Sequence, residues 1–182
     1  TSQTLPFGYI HTNIVGHDAL VMTEKGGAVC RLPSYSSKDN LTKSTITIDI
    51  SDNGMMSAKA KFTEYLHGYS YYHNVMESND RKLHVGYINN NINLPQITIG
   101  NINTTASIPE CSMEFDFVAS NAVNKTGDRL FIPILPLKKS NLNVFNSKSR
   151  ELDIVLNNGY SEEDSITVNI PTGFKLESMP KA

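Results

Sequence analysis

The chain has no tryptophan, two cysteines in 182 residues, and aromatic residues at only 8%. It also has no apolar run near the ~20 residues that a membrane-spanning helix needs. Each absence excludes something. Two cysteines, Cys30 and Cys111, allow at most one bridge, so a disulfide-stapled miniature is ruled out and a buried core must hold the fold. The chain is long enough to bury one. A formal net charge of -2, with mixed signs and no Lys/Arg cluster beside an aromatic stripe, argues against a nucleic-acid partner. No signal peptide opens the sequence, and its first residue is Thr1, so a processed or shortened form is expected.

What is present is period-two alternation. In residues 44–50, Ile46, Ile48 and Ile50 share one face, and Thr45, Thr47 and Asp49 share the other, which predicts a half-buried strand. Asp52-Asn53-Gly54 follows and predicts a tight hairpin into a strand over Met55 to Thr63. Ala19 to Thr23 and Ala28 to Leu32 flank Lys25-Gly26-Gly27, a second hairpin. Met113, Phe115, Phe117 and Ala119 alternate with Glu114 and Asp116. Leu130 to Leu135 is apolar, but Pro133 lacks a ladder donor, so an edge strand or bulge is expected. Leu152, Ile154 and Leu156 alternate, as do Ile166, Val168 and Ile170, and Phe174 and Leu176 begin a last short strand. Turn signals about every ten residues predict a mainly β protein, an antiparallel β-sandwich.

One region breaks this rhythm, and a short helical insertion is expected over about residues 65–92. Leu66, Tyr69, His73 and Met76 share one helical face. Asn79 or Asp80 caps a second helix carrying Leu83, Tyr87 and Ile88. Leu137 to Arg150 is polar and reads as a long surface loop.

The five histidines are His11, His17, His67, His73 and His84. His11 and His17 are six residues apart, as are His67 and His73, and neither spacing puts two imidazoles on one helical face for a metal. No metal or other cofactor is predicted. Cys30 with His11 or His17 and Asp18 is a conceivable nucleophilic set, but both cysteines sit in apolar alternation and read as buried thiols. No Gly-x-Ser-x-Gly elbow occurs, and no catalytic residue is assigned. Glu114 and Asp116 share a strand face at about the 5–10 Å spacing of paired carboxylates, a common arrangement on any sheet. Glu162-Glu163-Asp164 reads as a solvated turn cluster. Asn40, Asn103 and Asn124 head Asn-x-Thr acceptor tripeptides, which matter only in a secreted eukaryotic protein. Tyr65, Tyr69, Tyr71 and Tyr72 crowd eight residues and form the candidate binding surface, for stacking on carbohydrate or docking a peptide. The competing reading has half of them sealing a helix against the sheet.

Several segments carry a resemblance. They are Leu5-Pro6-Phe7-Gly8-Tyr9-Ile10-His11, Gly16-His17-Asp18-Ala19-Leu20-Val21, Arg31-Leu32-Pro33, residues 127–133, and the run from Ile170-Pro171 through Gly173-Phe174 to Leu176-Glu177-Ser178. Together they resemble the C-terminal β domain, of unknown function, that follows the transglutaminase-like core in large exported bacterial proteins. The resemblance implies that catalytic Cys, His and acidic residues lie upstream, and that Cys30 does not match the family nucleophile. Residues 1–35 would then be the tail of, or junction to, the upstream domain, and 36–182 an accessory β-sandwich domain. It further implies a periplasmic or exported location and a function bracing the core or selecting substrate. The upstream domain is the expected partner, and an isolated chain is expected to dimerise through an apolar patch near residues 5–33. The alternative is a stand-alone module that binds glycans or cell-surface polymers through the Tyr65–Tyr72 cluster.

Overall fold

Ile46, Ile48 and Ile50 turn to the interior exactly as their alternation demands, and the fold is built outward from that row. The structure, a computed structural model, describes residues 10, 14–65, 76, 78–107, 110–138 and 159–180. The chain is mainly β with layered, sandwich-like packing. Strands β1 (Asp18–Thr23) and β2 (Gly26–Arg31) form a separate two-stranded hairpin. The main sheet contains β3 (Leu41–Ile50), β4 (Met56–Tyr65), β5 (Ile97–Ser107), β6 (Glu110–Ala119) and β9 (Ser161–Asn169). Helix α1 (Arg81–Asn91) lies between β4 and β5 in sequence, and β7 (Asn124–Thr126) and β8 (Arg129–Phe131) form a short hairpin. The main sheet runs in the order β5-β6-β4-β3-β9. All its pairings are antiparallel except β3 with β9, which is parallel.

One face of this sheet is the core. Ile46, Ile48, Met56, Phe62, Met113 and Phe117 are all buried there. Phe115 meets Phe62 edge-on at 5.0 Å between ring centroids, the offset geometry that the ring quadrupole favours. The covering layer, among the described residues, is α1 with Met76, Val123 and Leu137, while Leu130 and Ile132 pack on its margin. Fully burying each large side chain contributes about 1.5–3 kcal/mol, which makes this face the main source of stability.

The helix is capped by Asp80, whose carboxylate accepts from the Lys82 amide at 2.8 Å. Its buried face runs through His84 and Ile88 and on to Ile92. Leu83, expected inward, is 50% exposed. Ile88 is buried and Tyr87 packs on the core as expected, but His84 enters the core where Leu83 was expected. The expected first helical face lies outside the described residues, except for Met76, which is buried.

The β3–β4 connection is looser than Asn-Gly suggested. Ile50 pairs with Met56, so the loop is Ser51 to Met55. The Ser51 amide donates to the Met55 carbonyl at 3.0 Å, and Gly54 takes φ +81°.

Strand β5 went unpredicted. Ile99 pairs with Phe117 and Ile102 with Phe115, so β5 carries one extra residue, a bulge at Gly100-Asn101. The bulge shifts the apolar residues from odd to even positions and hides their period. The parallel placement of β9 was also unexpected. Asn40, buried at the start of β3, donates to the Gly159 carbonyl at 2.9 Å, and the Ser161 amide donates to the Asn40 carbonyl at 2.9 Å. These bonds pin the head of β9 beside the head of β3. The apolar run from Leu130 forms only the short β8, which ends before Pro133. Residues 170–180 form no strand, contrary to the expectation for Phe174 and Leu176. Leu137, placed in the polar loop by sequence, is buried and bridges to Ile92, whereas the rest of that loop beyond Lys138 lies outside the described residues. So does the alternation at Leu152, Ile154 and Leu156.

Cys111 is buried, but Cys30 is exposed, which corrects the reading of both as buried thiols; the two form no disulfide. Ala28 and Val29 before Cys30 are apolar, yet its hairpin has no covering layer among the described residues.

Candidate functional site

Period two sends the other half of each strand outward, so the opposite face of the main sheet is polar. Lys43, Thr45, Thr47 and Asp49 project from β3, and Lys59 and Lys61 from β4. Glu114 and Asp116 project from β6, across from Lys61 and Lys59 respectively. The sequence placed Glu114 and Asp116 on one strand face, and the structure agrees. It also shows their neighbours. Glu114 is paired with Lys61 at 3.0 Å. Asp116 Oδ1 accepts from the Asn101 amide at 3.1 Å.

Asp116 anchors the bulge from one side and Arg81 from the other. The Arg81 guanidinium donates through Nη2 to the carbonyls of Ile99 at 3.3 Å and Gly100 at 2.7 Å. A Cβ on residue 100 would stand 1.9 Å from Asp116 Oδ2, so only glycine fits while Asp116 keeps its place. Beside the bulge lies an open hollow of about 340 Å³, lined by Thr45, Thr47, Lys59, Asn101, Asn103 and Asp116 among others.

Of the predicted tyrosine surface, Tyr65 is described. It ends β4, pairs with Glu110 and is half-buried. By strand parity it stands in the same outward row as Lys59 and Lys61. Tyr69, Tyr71 and Tyr72 lie outside the described residues. Tyr65 thus closes β4 instead of opening the expected helical insertion, and the hollow joins the predicted Glu114 and Asp116 to Asn101 and Asn103, which belong to the strand concealed by its bulge.

A second polar feature lies at the rim of the core. The Tyr87 hydroxyl, from α1, donates to Glu64 Oε1 on β4. Burial pushes the Glu64 carboxyl above its usual range, and the Tyr87 bond offsets part of that rise. Burial, with the Glu64 charge and bond, pushes the Tyr87 phenol up as well. The Tyr87 ring also meets Phe62 edge-on at 6.2 Å. This pair joins helix to sheet.

The β1–β2 hairpin presents a different surface. Leu20 faces Val29 and Met22 faces Gly27, on the side where Asp18 pairs with Arg31 at 3.2 Å. Leu20, Met22 and Val29 are 67%, 76% and 74% exposed. Cys30 lies across from Ala19 on the other side. His17 precedes β1 and is exposed, its amide bonded to the Ile14 carbonyl, while His84 is buried in α1. His11, His67 and His73 lie outside the described residues. Among the described residues, no three His, Cys, Asp or Glu side chains gather where one metal ion would fit, and no helix is long and apolar enough to cross a membrane. Of the three acceptor asparagines, Asn103 and Asn124 are exposed, whereas Asn40 is buried with its amide engaged.

A groove of about 210 Å³ separates the β7–β8 hairpin from the terminal segment, with Phe131, Ile170 and Leu176 on its walls and Arg129 paired to Glu177 at 2.9 Å. These residues fall within a stretch that a known family covers. Residues 128–182 match a domain of unknown function for which a structure has been solved, DUF3858. No curated protein and no solved structure matches the chain. Part of the chain is thus similar to a domain of unknown function.

Proposed function

We propose that this chain is a non-catalytic accessory domain of a transglutaminase-like protein exported from a bacterial cell, where it braces the core or helps it select substrate. The reading starts from the sequence resemblance. The observation that supports it is the β1–β2 hairpin. A two-stranded ribbon is marginal in water and needs a third strand or a packing surface. This one packs chiefly on itself and offers Leu20, Met22 and Val29 to whatever lies beyond it. Those residues fall in the junction segment that the resemblance sets against the upstream domain. In this account the hairpin is the docking arm, and the main sheet is the body that the arm ties down.

Two experiments test the reading. In the longer polypeptide, where a transglutaminase-like domain precedes this chain, replacing Leu20, Met22 and Val29 together by Ser lowers acyl-transfer or amide-cleavage activity without unfolding the main sheet. Unchanged activity and unchanged melting would reject the docking arm. Separately, the isolated chain shows no thiol-dependent amidase or acyl-transfer activity. Activity abolished by Cys30→Ala would overturn the accessory role outright.

A further inference from the structure

We propose that the outward face of the main sheet, from the hollow beside the β5 bulge toward Tyr65, is a binding platform for an uncharged polysaccharide. This is independent of the docking arm, which uses other residues.

Three observations carry it. The first is shape. An unbulged antiparallel sheet presents an even outward face, but here the extra residue in β5 bends the strand and opens the hollow of about 340 Å³. The bend is fixed by Gly100, Asp116 and Arg81 acting together. The second is unused hydrogen-bonding capacity. The hydroxyls of Thr45 and Thr47 and the carboxamides of Asn101 and Asn103 line the hollow. No hydrogen bond among the described residues uses them. Asp116 holds the backbone of residue 101, which leaves the Asn101 side chain available. Sugar hydroxyls both donate and accept, and so do these groups.

The third is charge. Two lysines and two carboxylates share the hollow, and Lys61 is already neutralised by Glu114 at 3.0 Å. That balance gives no attraction for phosphate or another polyanion, so a nucleic acid or an acidic glycan is disfavoured. Docking of a peptide strand would call for pockets that take alternate side chains. The outward residues of β6 from Ser112 to Val118 are polar apart from Val118 itself. Tyr65 supplies the one aromatic ring of the β4 outward row, roughly 20 Å along the strand from Lys59. A polymer lying along β4 therefore meets hydroxyl and amide groups at one end and a ring suited to a sugar face at the other.

The test uses the whole chain against laminarin, xylan, dextran and chitin oligosaccharides, with heparin, single-stranded DNA and an unstructured peptide as contrasts. Affinity electrophoresis gives the screen and titration calorimetry the Kd. The expected result is binding to at least one neutral glycan, insensitive to salt and weakened about tenfold or more by Asn101→Ala with Asn103→Ala. Melting of that variant stays unchanged. If the double variant does not fold, Thr47→Val, which suits a strand and removes only a hydroxyl, takes its place and weakens binding in the same direction. The proposal is overturned if no neutral glycan binds, if only heparin, DNA or the peptide binds, or if glycan binding survives the folded variants.

Discussion

Two hairpins in this molecule are both rich in apolar side chains and meet opposite fates. In β3–β4, alternating Ile46 and Ile48 are wholly buried against helix and loop. In β1–β2, Leu20, Met22 and Val29 sit in short continuous apolar runs and remain open to solvent. Apolar side chains beside a turn thus specify a hairpin, while burial is decided by what covers it. The first hairpin is joined by β6, β9 and α1; the second has no cover among the described residues. The same hydrophobic energy that stabilises the first is left unspent on the second.

The sharpest way to break this contrast is truncation on each side. Phe117→Ala removes a wholly buried ring and should cost about 3–5 kcal/mol in urea unfolding. Leu20→Ala in the isolated chain should change stability by no more than ~0.5 kcal/mol, as an exposed substitution does. Comparable costs at the two sites would mean that the hairpin is covered by part of the chain itself.

Next comes the bulge. Gly100→Ala drives a Cβ into the Asp116 carboxylate and should destabilise by about 1–3 kcal/mol. Combining it with Asp116→Ala should recover part of that loss, and a double-mutant cycle reads the coupling. Simple additivity of the two changes would show that the clash relaxes elsewhere. A smaller effect belongs to the helix cap, where Asp80→Ala should cost about 1 kcal/mol by losing the bond to the Lys82 amide.

The smallest and most specific effect is the pH dependence at Glu64. Burial raises its folded pKa above the unfolded value, so the folded state holds the proton more tightly. The stability tied to that proton is present below the unfolded pKa and is lost as pH rises through the raised one. Glu64→Gln keeps an acceptor for Tyr87 and cannot ionise. Its stability relative to the native chain should therefore increase as pH rises through and above the usual carboxylate range, read from urea midpoints. A difference that stays constant with pH would show that Glu64 ionises in the fold as freely as in the unfolded chain.

How much of this was readable in the sequence follows from the same physics. The strands β3, β4 and β6 were legible because their side chains alternate, and β1 and β2 because apolar runs flank the Gly26-Gly27 turn. A cap at Asn79 or Asp80 was legible too, and the structure settles it on Asp80. Strand β5 was not legible, because its bulge breaks the period between Ile99 and Ile102. With it went the hollow, whose residues Asn101 and Asn103 have no meaning until β5 is placed beside β6. The parallel neighbour β9 depends on Asn40 and Gly159, which are 119 residues apart and linked only by the fold. Leu83 and His84 show a finer limit. In the first turn of the helix hydropathy favours Leu83, yet His84 is the side chain that the core takes, while Tyr87 and Ile88 pack as expected.

The hairpin is where the functional reading stands or falls, and hydrogen exchange measures it directly. Backbone amides of residues 18–31 should exchange quickly in the isolated chain and be markedly slowed in a polypeptide that carries the proposed upstream domain, while the β3–β4 amides stay protected in both. Equal exchange of residues 18–31 in the two forms would contradict the docking arm, and with it the observation on which the accessory-domain account rests.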